Sequence, residues 1–274
     1  MTKNEIEKKR SHSIAMSKEM VYKMSYKLTS QQFRLSRYMV SQIKPTDSPD
    51  TVYTISITDY CEVCGMYDDS GKNYSDIRSA VLAIDEQTGT INKNGKWKRV
   101  RWFDILEGYE KGGTITYSFH REMIPLLFDL INSKEGYIQY ISGCFYCLKR
   151  YAAQRLYEML IDKSKMRSKV LIISLDDLKQ ELKGENYTRY QDFRRSVIEK
   201  AVEEINQKTD IRVSFEKKKG DDRIYFFIEV VGEEENETAR ERAYDKHYDE
   251  HMREIWEQAI ARNRALKERN NIDD

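Results

Sequence analysis

Residues 170–230 read VLIISLDDLKQELKGENYTRYQDFRRSVIEKAVEEINQKTDIRVSFEKKKGDDRIYFFIEV, and this stretch decides the fold. The run 170–174 is short and largely β-branched or apolar, which predicts a strand. Ser174 with Asp177 three positions on is close to a capping box. A helix should therefore follow, with Leu175, Leu178 and Leu182 on one face. A turn at Gly184-Glu185-Asn186 separates it from a longer helix over about 190–207, whose Phe193, Val197, Ala201, Val202 and Ile205 fall inward. Two strands, 211–217 and 223–230, flank the polar hairpin Lys217 to Asp222. Tyr151, Leu156, Tyr157 and Leu160 form a helical stripe upstream. Helix, strand, helix, turn, helix and β-hairpin is the order of a winged helix.

The same pattern occurs earlier in the chain. Ile55-Ser56-Ile57-Thr58-Asp59-Tyr60 matches Ile173-Ser174-Leu175-Asp176-Asp177-Leu178 at an offset of 118 residues. Tyr74-Ser75-Asp76-Ile77-Arg78-Ser79-Ala80-Val81 matches Tyr190-Gln191-Asp192-Phe193-Arg194-Arg195-Ser196-Val197 at an offset of 116. Two matches in the same order point to a duplicated module. The first copy should comprise a helix at 30–43, a strand at 52–57, helices at 58–65 and 77–85, and a long wing region at 90–119. Its turns fall at Asn94-Gly95 and Gly112-Gly113. Further helices are expected at 125–131 and from Tyr137 onward. The fold class is α+β, with two tandem winged-helix domains in pseudo-duplicate arrangement. The expected divisions are a flexible segment at 1–19, a first domain at 20–147, a second at 148–231 and a charged helical tail at 232–274. In that tail Tyr244, Tyr248, His251 or Met252, Ile255, Trp256 and Ala259 fall on one stripe.

Net charge is only +1 over 274 residues, but it is unevenly spread. Residues 148–231 carry 19 basic and 15 acidic side chains, whereas 232–274 carry 8 and 13. A basic module followed by an acidic tail suits binding to a polyanion. No apolar run is long enough to span a bilayer, and the opening MTKNEIEKKR lacks the apolar core of a signal peptide. The expected location is the cytoplasm, away from membranes, with four reduced cysteines.

Several stretches carry a family resemblance. They are Lys27-Leu28-Thr29, Tyr53-Thr54-Ile55 before Asp59-Tyr60, Arg155-Leu156-Tyr157-Glu158-Met159-Leu160, and Tyr190-x-x-Phe193 leading to Ala201-Val202-x-Glu204-Ile205-Asn206-x-x-Thr209-Asp210-Ile211. Over about residues 20–230 the chain resembles the Rep initiators of iteron-containing bacterial plasmids. The resemblance implies a non-enzymatic replication initiator that binds repeated double-stranded DNA sites at an origin. It also implies a homodimer in equilibrium with monomer, repression of its own gene as a dimer, and origin opening with host replication initiator and helicase-loading proteins.

A winged helix lays its third helix in the major groove, where the four base pairs are distinguishable. In the second domain that helix offers Arg189, Gln191, Arg194, Arg195 and Lys200, residue types that suit base edges. Arg195 and Arg189 are the expected contacts, while Arg194 is divided between DNA and a role clamping the core. The wing supplies Lys217, Lys218, Lys219 and Arg223 for the phosphate backbone. In the first domain Arg78, Lys96, Lys98, Arg99 and Arg101 are candidates for phosphate contact, and that domain is expected to dimerise.

Other chemistries fit less well. Cys61-x-x-Cys64 and Cys144-x-x-Cys147 have zinc-knuckle spacing, but both pairs fall on predicted helices, so buried thiols are expected rather than a metal site. His247-x-x-x-His251 has no acidic partner of the protease type. There is no His-apolar-His site, phosphate loop or nucleophile elbow, so no catalytic residue and no cofactor is expected. A transcriptional regulator or a protein-binding scaffold would use the same two modules.

Overall fold

The structure is a computed structural model that describes residues 2–66, 72–93, 95–108 and 112–231. Its first half runs α1 (Lys3–Arg10), β1 (Ser13–Ser17), α2 (Lys18–Tyr22), β2 (Met24–Ser25), α3 (Ser30–Val40), β3 (Tyr53–Ser56), α4 (Ile57–Val63) and α5 (Lys72–Glu86). Four strands follow, β4 (Gly89–Lys93), β5 (Lys96–Val100), β6 (Phe103–Gly108) and β7 (Thr114–Phe119). Then come α6 (Ile124–Leu127), β8 (Tyr137–Ile141) and α7 (Ser142–Tyr146). The second half runs α8 (Tyr151–Ser164), β9 (Val170–Ser174), α9 (Leu175–Glu181), α10 (Tyr190–Phe193), a π turn (Arg194–Ile198), α11 (Glu199–Lys208), β10 (Ile211–Glu216) and β11 (Arg223–Val230).

The duplication is visible atom by atom. Ser56 caps α4 by accepting a hydrogen bond from the Asp59 N–H at 3.2 Å, and Ser174 caps α9 through the Asp177 N–H at 3.1 Å. The N–H of the residue after each serine donates to the carbonyl just before the returning strand, Ile57 to Gly113 at 2.7 Å and Leu175 to Asp222 at 2.8 Å. Each serine pairs with the first residue of that strand, Ser56 with Thr114 and Ser174 with Arg223. The sheets correspond, β3-β7-β6 in one copy and β9-β11-β10 in the other.

This correspondence corrects the reading of the first wing. The counterpart of the second domain's β10–β11 hairpin is β6–β7. The β4–β5 hairpin is an insertion that leaves the module and pairs with β2 instead. Alternation alone could not separate two consecutive hairpins in the span 90–119.

Three further expectations differ from the structure. Residues 1–19 are not a loose segment, because Thr2 and Glu5 form a reciprocal capping box on α1. Ile14 and Met16 on β1 are fully buried, and β1 pairs antiparallel with β8. Secondly, the chain from Tyr137 is a strand before it is a helix; its alternating exposure, with Ile138 and Tyr140 buried, has the period of two that a strand requires. Thirdly, the helix expected at 125–131 is divided into α6 and a 3-10 turn (Leu130–Asn132), because Asp129 takes a left-handed conformation at φ 48°. The expected tail at 232–274 lies outside the described residues.

The two modules share α8. Its Leu156, Tyr157 and Leu160 are fully buried, and it packs on α3 and β8 of the first half and on β9, α11 and β11 of the second. The boundary drawn at 147/148 therefore falls in the short link before a helix that belongs to both cores.

At the centre lies a charged cluster with almost no exposure. Glu158 accepts from Arg37 Nε at 2.6 Å, Arg37 Nη2 at 3.1 Å and the Tyr140 hydroxyl at 2.6 Å. Arg155, one helical turn away at 3.6 Å, reaches on to Glu181 of α9 at 2.7 Å and donates to the Val21 carbonyl. Three elements of the first half (α2, α3 and β8) and one of the second (α9) thus converge on two α8 side chains. Burying such charges costs heavily unless each is paired.

Candidate nucleic-acid interface

The third helix of the second module is seated by Phe193, which is fully buried. Its ring lies 5.9 Å from that of Tyr187 and directly over Gly184. A Cβ at Gly184 would come within 2.1 Å of the Phe193 ring, so the turn before the helix needs a residue without a side chain. After Phe193 the helix widens into the π turn, and its inward residues become Ile198, Ala201, Val202 and Ile205. The sequence reading placed Val197 inward; it is only partly buried, because the wider turn advances the phase by one residue.

That arrangement turns Arg189, Gln191, Arg195 and Lys200 to the surface. Arg189 is 77% exposed and pairs with Asp192 at 3.0 Å. Hydrogen bonding from Arg189 holds the Asp192 carboxyl below its usual value, with the charge of Arg195 adding to the effect. Arg194 is not a core clamp. It is exposed, pairs with Glu199 at 2.8 Å and rests 5.9 Å above the Phe215 ring.

The wing stands beside the start of this helix. The Lys217 ammonium lies 5.8 Å over the Tyr190 ring and donates to the Asp221 carbonyl. Lys218 is 60% exposed, over Tyr225 at 4.7 Å, and Lys219 is exposed at the tip. Gly220 takes φ +80°, the left-handed region that a tight turn assigns to glycine. Arg223 grips Asp221 through two bonds of 3.0 Å each, and the Tyr225 hydroxyl adds a third at 2.8 Å. Together they hold the Asp221 carboxyl well below the carboxylate range. Arg223 is therefore a brace for the hairpin, with Lys218 and Lys219 its outermost charges. Helix and wing form one continuous basic edge in which Arg189, Arg194 and Arg223 each share a carboxylate. Such exposed pairs are screened by solvent and contribute little to stability, which leaves each arginine available to a phosphate.

The first module differs. Arg78 is partly exposed on α5, whose outward side also carries Tyr74, Ser79 and Leu82, the last 52% exposed. Lys96, Lys98, Arg99 and Arg101 are exposed, with the first three on the inserted β5 and Arg101 just beyond it. Lys98 pairs with Glu122 at 3.4 Å, and Arg99 donates to the Thr88 hydroxyl at 3.0 Å. These cations are carried by the insertion and not by the module's wing, with Lys96 and Lys98 on one face of β5 and Arg99 on the other.

One part of the site was missed in the sequence. Glu204, on the buried side of α11, accepts the backbone N–H groups of Lys149 at 2.7 Å and Arg150 at 3.2 Å, where α8 has no capping side chain of its own. Burial alone would push its carboxyl up, but those N–H groups and Lys208 hold it below its usual value. Its neighbours in the motif are structural too. Asn206 ties α11 to Val213 of β10 by bonds of 2.9 and 2.7 Å, and Asp210 accepts from the Tyr157 hydroxyl at 2.8 Å. A charged residue among apolar helix positions was the available signal.

The four cysteines form no disulfide. Burial pushes the Cys64 thiol up to about 12 and raises Cys61 as well, which favours thiols over the thiolates a metal needs. No group of three or more metal-ligating side chains occurs among the described residues. No helix among them is long and apolar enough to cross a membrane.

Comparison with known proteins bears on this geometry. The family described as "Initiator Replication protein, WH1" matches residues 13–161, and "Initiator Rep protein, WH2" matches residues 174–227. The solved structure of the Pi initiator protein in complex with iteron DNA is similar at a TM-score of 0.66 and 18% identity, covering 82% of this chain and 99% of that one. A structure of RctB domains 2-3 gives 0.41 at 15% identity, covering 76% and 82%. A second, of domains 2 and 3 of RctB, gives 0.46 at 16%, covering 74% and 81%. At these identities the likeness to Pi speaks for the fold, and the RctB scores are too low to add to it.

Proposed function

Because the chain belongs to the initiator replication protein family, with both winged-helix domains matched in order, we propose that it is a plasmid replication initiator that binds repeated double-stranded DNA sites at an origin. The observation that carries the reading is the basic edge of the second module. There the outward Arg189, Gln191, Arg195 and Lys200 of one helix stand beside the lysines of one wing. Arginine and glutamine suit guanine and adenine edges in the major groove, and the wing lysines suit phosphate. The Pi structure, whose complex holds iteron DNA, supports the same kind of site here. The Arg78 and Lys96-to-Arg101 patch adds phosphate contacts from the first module.

The protein acts by binding rather than by catalysis, in the cytoplasm. It exists as a homodimer in equilibrium with monomer, dimerises through the first module, and recruits host initiator and helicase-loading proteins. Footprinting the full chain on its own plasmid tests the reading. Protection of several direct repeats, each of roughly 20 base pairs or two helical turns, supports it. Protection of a single inverted repeat at a promoter would instead mark a transcriptional regulator, and no protection would mark a protein-binding scaffold.

A further inference from the structure

Of the two tryptophans among the described residues, Trp102 is fully buried and Trp97 is 70% exposed. An indole left in water forgoes more burial than almost any other side chain could supply. Trp97 lies on β5, where residues 96–99 are all exposed and read Lys-Trp-Lys-Arg. This hairpin is the insertion that the second module lacks, and the β3-β7-β6 sheet is complete without it.

The register fixes what surrounds the ring. Trp97 stands opposite Asn92, and on the same face Arg99 stands opposite Thr90, which pairs in turn with Ser25. Side chains opposite one another share a face and touch, so the indole lies among short polar neighbours on an open sheet surface. The Thr88 hydroxyl anchors Arg99 two residues along. The hairpin tip is at Gly95, where a Cβ would meet nothing within 4 Å. A wedge that prises base pairs apart projects from such a tip; Trp97 lies back from it, as a platform does.

We propose that Trp97 is a stacking platform for an unpaired nucleobase of single-stranded DNA, with Arg99 on the same face of β5, and the exposed Arg101 just beyond the strand, holding the neighbouring phosphates. Aromatic rings beside a cationic track are the general means of binding single strands without reading sequence. The occupant follows from charge and shape: two arginines in line with the ring call for a polyanion, and a flat exposed ring calls for a base free of its partner. The inference rests on the initiator reading, since opening an origin produces such bases. It gives the inserted hairpin a task separate from the duplex reading of the second module.

The test uses the full chain as wild type, Trp97→Ala and Trp97→Phe. Binding to an oligo-dT strand, to a duplex carrying the plasmid's repeats and to a random duplex is followed by fluorescence anisotropy. Trp97→Ala should weaken oligo-dT binding by about 5- to 150-fold, the loss of one stacked base. Trp97→Phe should recover most of it, and both variants should hold the repeat duplex within about twofold of wild type. Unchanged oligo-dT binding by Trp97→Ala, or none by the wild type, would overturn the proposal. So would an equal loss on both DNAs, which would mark Trp97 as a duplex contact. Failure of the wild type to distinguish repeat from random duplex would remove the initiator reading instead, and is read from the duplex arm alone.

Discussion

The Arg194 guanidinium meets the Glu199 carboxylate at 2.8 Å across five residues of a single helix. In a regular α-helix, residues five apart point about 140° away from each other. The meeting is possible because the chain between them is a π turn, closed by the Glu199 N–H to the Arg194 carbonyl. Such turns are rare and concentrate at functional sites. Here it lies in the helix that carries the candidate base contacts, and it sets which side chains face outward.

The pair is exposed, so its stability contribution is small. Arg194→Ala should cost less than about 1 kcal/mol in urea denaturation. A loss of several kcal/mol would restore the core-clamp role that the helical wheel allowed.

Gly184 sits against the ring that seats this helix. Gly184→Ala places a methyl group within 2.1 Å of the fully buried Phe193 ring, so the ring or the turn must shift. Overpacking of this kind costs about 1–3 kcal/mol. The variant should melt lower and lose repeat-duplex binding more than its stability loss explains, because the displaced element carries the candidate base contacts. Wild-type melting and binding would refute the packing account.

Glu158 balances two buried arginines from α3 and α8. Its removal leaves Arg37 buried without its carboxylate and Arg155 with Glu181 alone, so Glu158→Ala should cost about 3–5 kcal/mol. Glu181 shares Arg155 but is partly exposed, and Glu181→Ala should cost about 1 kcal/mol. Similar losses for the two variants would show that the central cluster is not the junction's main electrostatic tie.

Glu204 gives the junction a pH dependence. Its folded pKa lies below the ordinary 4.5 despite burial, since the Lys149 and Arg150 N–H groups and Lys208 favour the charged form. A lowered folded pKa contributes stability above the unfolded value and loses it as pH falls through the folded value. The urea midpoint should therefore drop on acidification below about 4.5, and Glu204→Gln should flatten that part of the curve. An unchanged slope in the Gln variant would contradict the capping role.

The legible parts of this fold were those governed by local rules. The strand at 170–174 and the serine cap at its end followed from a β-branched run and a Ser-x-x-Asp spacing, and the structure places both where expected. The repeat was legible because each copy needs the same cap and the same first hydrogen bond to its wing. What escaped was non-local. The π turn hides in an ordinary amphipathic pattern, since one extra residue moves burial only from Val197 to Ile198. The inserted hairpin looked like part of a long wing because its pairing with β2 joins residues far apart in sequence. At the candidate site the residue types were legible, but not that Arg194 and Arg223 share carboxylates, because Glu199 and Asp221 are placed by the π turn and the hairpin rather than by helical spacing.

The second module's role as the base reader is tested most directly by equilibrium binding of the Arg195→Ala chain to repeat duplex and to random duplex over a range of salt. Loss of about 1–3 kcal/mol on the repeat alone is expected, with Lys218→Ala instead weakening both DNAs and lowering the salt slope by about one. Equal weakening of both duplexes by Arg195→Ala would contradict it.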